Sequence, residues 1–312
     1  TTGTANTAVG RRALYVSTEG DSNTAVGYNA LDANTTADDN TAVGAYALGA
    51  ATTGDENTAV GSQAGLAITT GVHNTAIGHE ALEDATTTNN NVAVGYRALA
   101  DTDASGNVGV GYAAVTANTS GTGLVGIGNN ALVANTTGDN NTSVGESSLG
   151  GNTEGNYNIS IGKDSGDNIT TGDGNIIIGT VDAASATGDR TLKIAGYDGS
   201  TTTTWISGDS SGNVTCPANI TAYSDERLKE NIETLDGSKV FEMRGVSFIK
   251  DGQEGSGVIA QELEKIAPEL VHTSEDEMGT KSVSYGHIVG YLIESIKDLK
   301  AEIEELKKDR ED

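Results

Sequence analysis

NTAVGSQAGLAITTGVHNTAIG, residues 57–78, states the same five-residue phrase twice, at Asn57 and Asn74. Working outward, NTAVG also begins at Asn6, Asn23 and Asn40. Variants follow at Asn91 (NVAVG), Asn107 (NVGVG), Leu124 (LVGIG), Asn141 (NTSVG), Asn158 (NISIG) and Asn175 (NIIIG). That makes eleven copies with a step of 17 residues, broken once by a step of 16 between Asn91 and Asn107. A fixed period of this length is the mark of a solenoid, in which stacked units supply one another's core.

The second and fourth positions of each phrase are Thr, Val or Ile, as in Thr75 and Ile77, and the fifth is Gly throughout. Period-two alternation of β-branched residues predicts a short strand. The β-branched side is expected to face a core, leaving the Ala/Gly side free to approach another backbone. A second short strand is expected at the Ala-Leu pairs, such as Ala13-Leu14, Ala30-Leu31, Ala81-Leu82 and Ala131-Leu132. Polar turns rich in Gly, Asn and Asp separate the units. Two strands and two turns make one rung of a β-solenoid. Eleven rungs at the ~4.8 Å strand spacing give a rod of roughly 50 Å. Small-residue faces at every rung suggest side-by-side packing of copies, with a closed homotrimer as the expected arrangement.

Over about residues 5–180 this pattern resembles the left-handed β-roll of trimeric autotransporter adhesin heads, whose rungs carry a similar Asn…Ala-Ile-Gly motif. That resemblance implies a trimeric rod. It leaves two uses open, a passive spacer or a receptor-binding surface. The position after the Gly carries Tyr28, Tyr96 and Tyr112, with Arg11, His79 and Lys163, too few aromatics for a ligand stripe. Turn acids such as Asp55, Asp139 and Asp173 lack the dense Gly-Gly-x-Gly-x-Asp spacing of calcium rolls and read as solvated caps. No metal and no cofactor is expected.

Composition narrows the partners. The 312 residues hold 18 basic against 44 acidic side chains, a net charge of −26. Nucleic-acid binding needs clustered Lys and Arg, so it is not expected. A single cysteine, Cys216, rules out an intrachain disulfide framework. No apolar run approaches the ~18 residues of a membrane span. Thr1 already lies inside the repetitive pattern, so a longer polypeptide is expected.

The period ends near Gly179. RTLKIAG, TTTTWISG and GNVTC, within residues 180–223, predict three further strands, a neck in which Trp205 plugs the core. The chemistry then changes. Residues 1–223 hold 6 basic and 22 acidic side chains, and residues 224–312 hold 12 and 22 in less than half the length. SDERLKENIETL, from Ser224, predicts a helix with Ser224 as its cap and two acids in its first turn. RGVSFIKDG predicts a strand. GSGVIAQELEKIAPEL predicts a helix with Val258, Ile259, Leu263 and Ile266 on its apolar face, ending near Pro268. From about Ser284 a heptad run places Val289, Ile296 and Ile303 seven apart, and Leu292, Leu299 and Leu306 likewise. That spacing predicts a short coiled coil over 284–312. His272 and His287 read as structural.

SDERLKENI, then GVIAQELEKIAPELV, then a helical tail resembles the C-terminal intramolecular chaperone of endosialidase-type phage tail spikes and fibres, over 224–312. Its Ser-Asp-x-Arg-x-Lys motif falls on Ser224, Asp225, Arg227 and Lys229. The resemblance implies a domain that trimerises, templates folding of the fibre ahead of it and cuts itself off. It implies Ser224 as nucleophile, Lys229 as base, Asp225 and Arg227 as supporting residues, and a cut between Tyr223 and Ser224.

The chemistry adds a constraint. A serine hydroxyl attacks an amide only with a base, and lysine is a base only when neutral. Its ordinary pKa near 10.4 must fall through burial or a nearby cation, and Arg227 would be such a cation. Five residues of helix turn the chain by ~140° beyond a full circle, so Ser224 and Lys229 cannot share one helical face. Either Ser224 precedes the helix and folds back, or Lys229 comes from a neighbouring chain.

The whole chain thus reads as mainly β. A 17-residue-repeat β-solenoid (1–179), trimeric, is followed by a β-rich neck (180–223) and a small α+β domain (224–312) ending in a coiled-coil helix. The expected role is a virion component, a phage tail fibre or spike that attaches to a host receptor, a glycan or outer-membrane component. The rival is a bacterial trimeric surface adhesin without proteolysis.

Overall fold

The computed structural model describes residues 2–217, 224–250 and 252–310. The chain divides into two units, Thr1–Thr221 and Ala222–Asp312.

The first unit is the solenoid. Eleven three-residue strands, from Thr7–Val9 to Ile176–Ile178, pair in parallel with every phrase in register, Thr24 on Thr41 and Ala25 on Ala42. The last rung passes its ladder on to Leu192–Tyr197, which turns antiparallel to Thr202–Gly208 and then to Val214–Thr215. The three expected neck strands are therefore present. The short step is absorbed in the turn, since Asn107 N–H still reaches Asn91 Oδ1 at 2.9 Å.

Two expectations about the rung are reversed. The small central residue, not the β-branched pair, faces inward: Ala25, Ala42, Ala59 and Ala93 are fully buried, while Val60 and Ile77 keep 37% and 39% of their surface. The roll is one large side chain wide. Leu31, Leu48, Leu82, Leu99, Leu132 and Leu149 fill it from the other wall, so only Ala, Ser or Gly fits opposite. A Cβ built at Gly126 would overlap Val115 Cγ2. The small-residue face is thus the roll's own core and is not available for packing between copies.

The Ala-Leu segment is likewise no strand. Leu31, Leu48, Leu82 and Leu99 hold φ between 47° and 55°, the left-handed region. That conformation costs a non-glycine residue roughly 1–2 kcal/mol, and burying a leucine returns roughly 1.5–3 kcal/mol, so burial wins. Backbone groups still pair between rungs, as Leu31 N–H to the Ala47 carbonyl at 3.1 Å. The fifth-position glycine is a different case. Gly27 sits at φ +146°, and a Cβ there would overlap the Gly44 carbonyl of the next rung.

Buried polar groups form ladders along the rod. Asn40 N–H donates to Asn23 Oδ1 at 2.9 Å, and Asn40 Nδ2 donates to the Gly54 carbonyl at 2.9 Å. The pattern repeats at Asn57, Asn91, Asn158 and Asn175, satisfying groups that would otherwise be costly to bury. Leu124 still gives its N–H to Asn107 at 2.9 Å. A second ladder runs through Asn118, Asn135 and Asn152. It stops where Ile169 takes the next position, which leaves Asn152 Oδ1 without a partner.

Trp205 does not plug the neck. It is 58% exposed on its strand, with its ring lying over Gly196, where no side chain stands in the way.

The second unit is small. A hairpin pairs Gly245–Lys250 with Gln253–Val258, and a second pairs Val271–Thr273 with Lys281–Val283. Helix α1 is Ala260–Ile266 and helix α2 is Tyr285–Lys308. Leu263, Ala267, Leu270 and Tyr291 form the core, packed by Val240, Met243 and Ile288. Val258 and Ile259 do not belong to α1: Val258 ends the hairpin and Ile259 is the extended cap. The predicted Ser224 helix is also corrected. It is one 3-10 turn, Glu226–Leu228, capped by Asp225 rather than Ser224. Asn231 at φ 54° ends any helical run that could follow.

One cluster around the buried Tyr291 sets a pH window. Tyr291 Oη donates to Glu269 Oε1, and Lys239 Nζ lies 3.8 Å from the same oxygen. Acceptance by Glu269 pushes the Tyr291 hydroxyl up to about 12, and the Tyr291 hydroxyl holds the Glu269 carboxyl below its usual range. The raised tyrosine stabilises the unit in full below pH ~10 and loses that contribution as pH climbs through 12. The lowered carboxylate contributes above pH ~4.3 and loses its share as pH falls. Denaturant midpoints followed by helical circular dichroism should therefore drop at both ends, and Tyr291→Phe should flatten both limbs. An unchanged profile in Tyr291→Phe would dismiss the cluster as the cause.

Candidate functional site

Ser224, Asp225 and Lys229 meet at the start of the second unit. Asp225 is extended (φ −66°, ψ 130°), and its Oδ1 accepts the Arg227 N–H at 2.9 Å. Leu228 N–H donates to the Asp225 carbonyl at 3.1 Å, and Lys229 N–H to the Glu226 carbonyl at 3.0 Å. The chain leaves in extended form at Lys229. This one turn folds the lysine back on the serine, and Lys229 Nζ donates to Ser224 Oγ at 2.7 Å. Within this chain Ser224 precedes the turn and Lys229 folds back to it. Among the described residues Lys229 forms no ion pair, which leaves the amine to the serine.

Arg227 does not face the amine. Its Nε donates to Asp225 Oδ1 at 3.0 Å and its Nη2 to Oδ2 at 2.6 Å, a bidentate clamp. That clamp is the largest cause holding the Asp225 carboxyl below its usual range and raising the guanidinium. A guanidinium already neutralised is a weak source of the cation the lysine needs. Asp225 as cap and partner of Arg227 was not evident from the motif. An Asp followed two residues later by an Arg is its signal. Tyr223, on the other side of the expected cut, lies outside the described residues.

The other candidates resolve differently. Asp55, Asp139 and Asp173 cap the preceding rung, each Oδ1 accepting a backbone N–H from it, at 2.8, 2.6 and 2.7 Å. No group of three or more His, Cys, Asp or Glu able to hold a metal occurs among the described residues. His79, Tyr96 and Tyr112 stack at 5.7 and 5.1 Å along one edge, occupying one another's faces. Arg11 covers Tyr28 at 5.5 Å, and Lys163 pairs with Glu146 at 3.1 Å. Among the described residues no helix is long and apolar enough to cross a membrane. In the second unit an open groove of about 350 Å³ runs between Ile232–Leu235 and α2 at Gly290 and Ile293.

Residues 224–272 match the model of a family described as the chaperone of endosialidase. The match begins at Ser224, the first member of the pair. Two long tail fiber proteins Gp37, of Enterobacteria phages K3 and T2, are each 33% identical over 105 residues, covering 30% of this chain. The chain spans 8% of the length of these curated relatives. No solved structure matches.

Proposed function

We propose that this chain is a segment of a phage tail fibre, a virion component. Its solenoid serves as shaft, and residues 224–312 gather three copies, guide folding of the shaft and then release themselves. The observation that carries this reading is the 2.7 Å contact between Lys229 Nζ and Ser224 Oγ, at the first residue of the chaperone match.

Neutral Lys229 takes the Oγ proton as Ser224 Oγ bonds to the Tyr223 carbonyl carbon. The C–N bond breaks, and the Ser224 nitrogen takes that proton and becomes an amine. Water then splits the ester, leaving a carboxylate at Tyr223 and the restored hydroxyl at Ser224. Because the base works only unprotonated, the rate rises with pH.

Assembly into three is supported by two open apolar faces. The β-branched stripe of the roll, with Val43, Val60, Ile77, Ile127 and Ile161, lies in register along the rod. The a/d positions of α2, Val289, Leu292, Ile296, Leu299 and Ile303, are equally uncovered. The number three follows the resemblances of both units. A clamp at the second unit would fix the common register of rungs and remove much of the entropy of bringing three ends together. The proposed partner of the shaft is a host-surface receptor, a glycan or outer-membrane component.

Sedimentation of Ser224→Ala should give three chains at micromolar concentration, and residues 1–223 expressed alone should aggregate or stay unfolded. A monomer or dimer removes the trimer. A heat-resistant trimer from residues 1–223 alone removes the chaperone role.

A further inference from the structure

We propose that Asp225 is a positioning residue for the Ser224–Lys229 pair, the cap of the single turn that folds Lys229 back, and that Arg227 serves Asp225 rather than the amine. This inference rests on the self-cleavage reading above.

Five residues of extended chain would carry Lys229 some ~17 Å from Ser224. The contact at 2.7 Å exists because residues 226–228 take up that length in one 3-10 turn. A lone 3-10 turn has poor hydrogen-bond geometry and little stability of its own. This one buries no residue, so no packing holds it. What remains is the cap: Asp225 Oδ1 on Arg227 N–H, with the same carboxylate clamped by the Arg227 side chain at 3.0 and 2.6 Å. The guanidinium closes back onto the residue that caps it, which fixes the carboxylate rotamer and, through it, the turn.

Capping and charge are separable by substitution. Asparagine caps a helix start about as well as aspartate, whereas alanine does not. Asp225→Asn keeps the acceptor and loses the charge. Asp225→Ala loses both. If Asp225 positions, the asparagine variant should cleave within about threefold of wild type. The alanine variant should be slower by about ten- to a hundredfold, the scale of an ångström-level misplacement of reacting groups. The midpoint of the pH–rate profile should stay where it is in both, because fewer pairs are aligned but the aligned amine is the same. Arg227→Gln should produce a small loss without moving the midpoint.

Two results overturn the proposal. One is an asparagine variant as slow as the alanine variant. The other is a midpoint displaced by either variant, which would make Asp225 an electrostatic partner of Lys229. A second readout is independent of cleavage. In the intact Ser224→Ala chain, amide exchange at Arg227 and Lys229 should quicken with Asp225→Ala and not with Asp225→Asn. Equal exchange in the two would discard the cap whatever the cleavage rates. A wild-type chain that never cleaves, with the exchange difference present, would instead discard self-cleavage while leaving the turn as described.

Discussion

Ser224→Ala and Lys229→Ala should remain whole under conditions in which the proposed self-cleavage of the wild-type chain yields a fragment of residues 224–312 beginning at Ser224. The reason is local. The proposed attacking oxygen and the amine that would take its proton stand 2.7 Å apart. A dyad acts as a unit, so removing either member should cost nearly the whole rate, and the double variant should be no slower than the singles. Lys229→Arg is the sharper variant. It keeps the charge and hydrogen-bonding reach but cannot lose its proton, so it should also stay intact. A denaturing gel of folded protein, with N-terminal sequencing of the small fragment, reads the result. Cleavage persisting in Lys229→Arg would mean that the lysine orients Ser224 without accepting its proton, and an intact wild type would end the protease reading.

Much of this was legible in the sequence, and the misses share a cause. The 17-residue period gave the rungs, because each strand must meet its equivalent in the next. The neck strands and α2 followed from alternation and heptads. What the pattern could not say was which face of a three-residue strand lies inside. Alternation defines two faces, and only the width of the roll chooses between them: with Leu48 across the core, Ala59 fits and Val60 does not. The Ala-Leu segment misled for a similar reason. A leucine at φ +47° carries no glycine or asparagine to announce it. At the site, helix propensity in SDERLKENIETL lost to the Asp225 cap and the Asn231 turn. The same loss brought the pair together, because a longer helix would have turned Lys229 away from Ser224.

The largest stability effect in the shaft is expected where a rung departs from the pattern. Gly65 stands where neighbouring rungs place Leu48 and Leu82, and Ile68 stands where they place Ala51 and Ala85. The large side chain has moved three residues along and still fills the core: Ile68 is fully buried, and Gly65 at φ +58° keeps the left-handed conformation of Leu48 and Leu82. A Cβ built on Gly65 would lie 3.0 Å from both Ile68 Cδ1 and Leu48 Cδ2. The exchange recurs at Gly166 and Ile169, with the same φ at the glycine. Each single change should therefore hurt. Ile68→Ala opens a cavity in a core one side chain wide, a loss of about 2–5 kcal/mol. Gly65→Leu overfills the same space, at about 1–3 kcal/mol. Together they rebuild the rung of Leu48 and Ala51, and the pair should return to within about 1 kcal/mol of wild type, a coupling of several kcal/mol where independent sites would simply add. Because a solenoid opens rung by rung, global melting would blur the effect. Native-state amide exchange at Leu66, Ile68 and the Ala81–Leu82 pair reads it locally. Losses that add in the double variant would show that the glycine and isoleucine are unrelated, and that the rung is held by its Asn57 and Asn74 ladder instead.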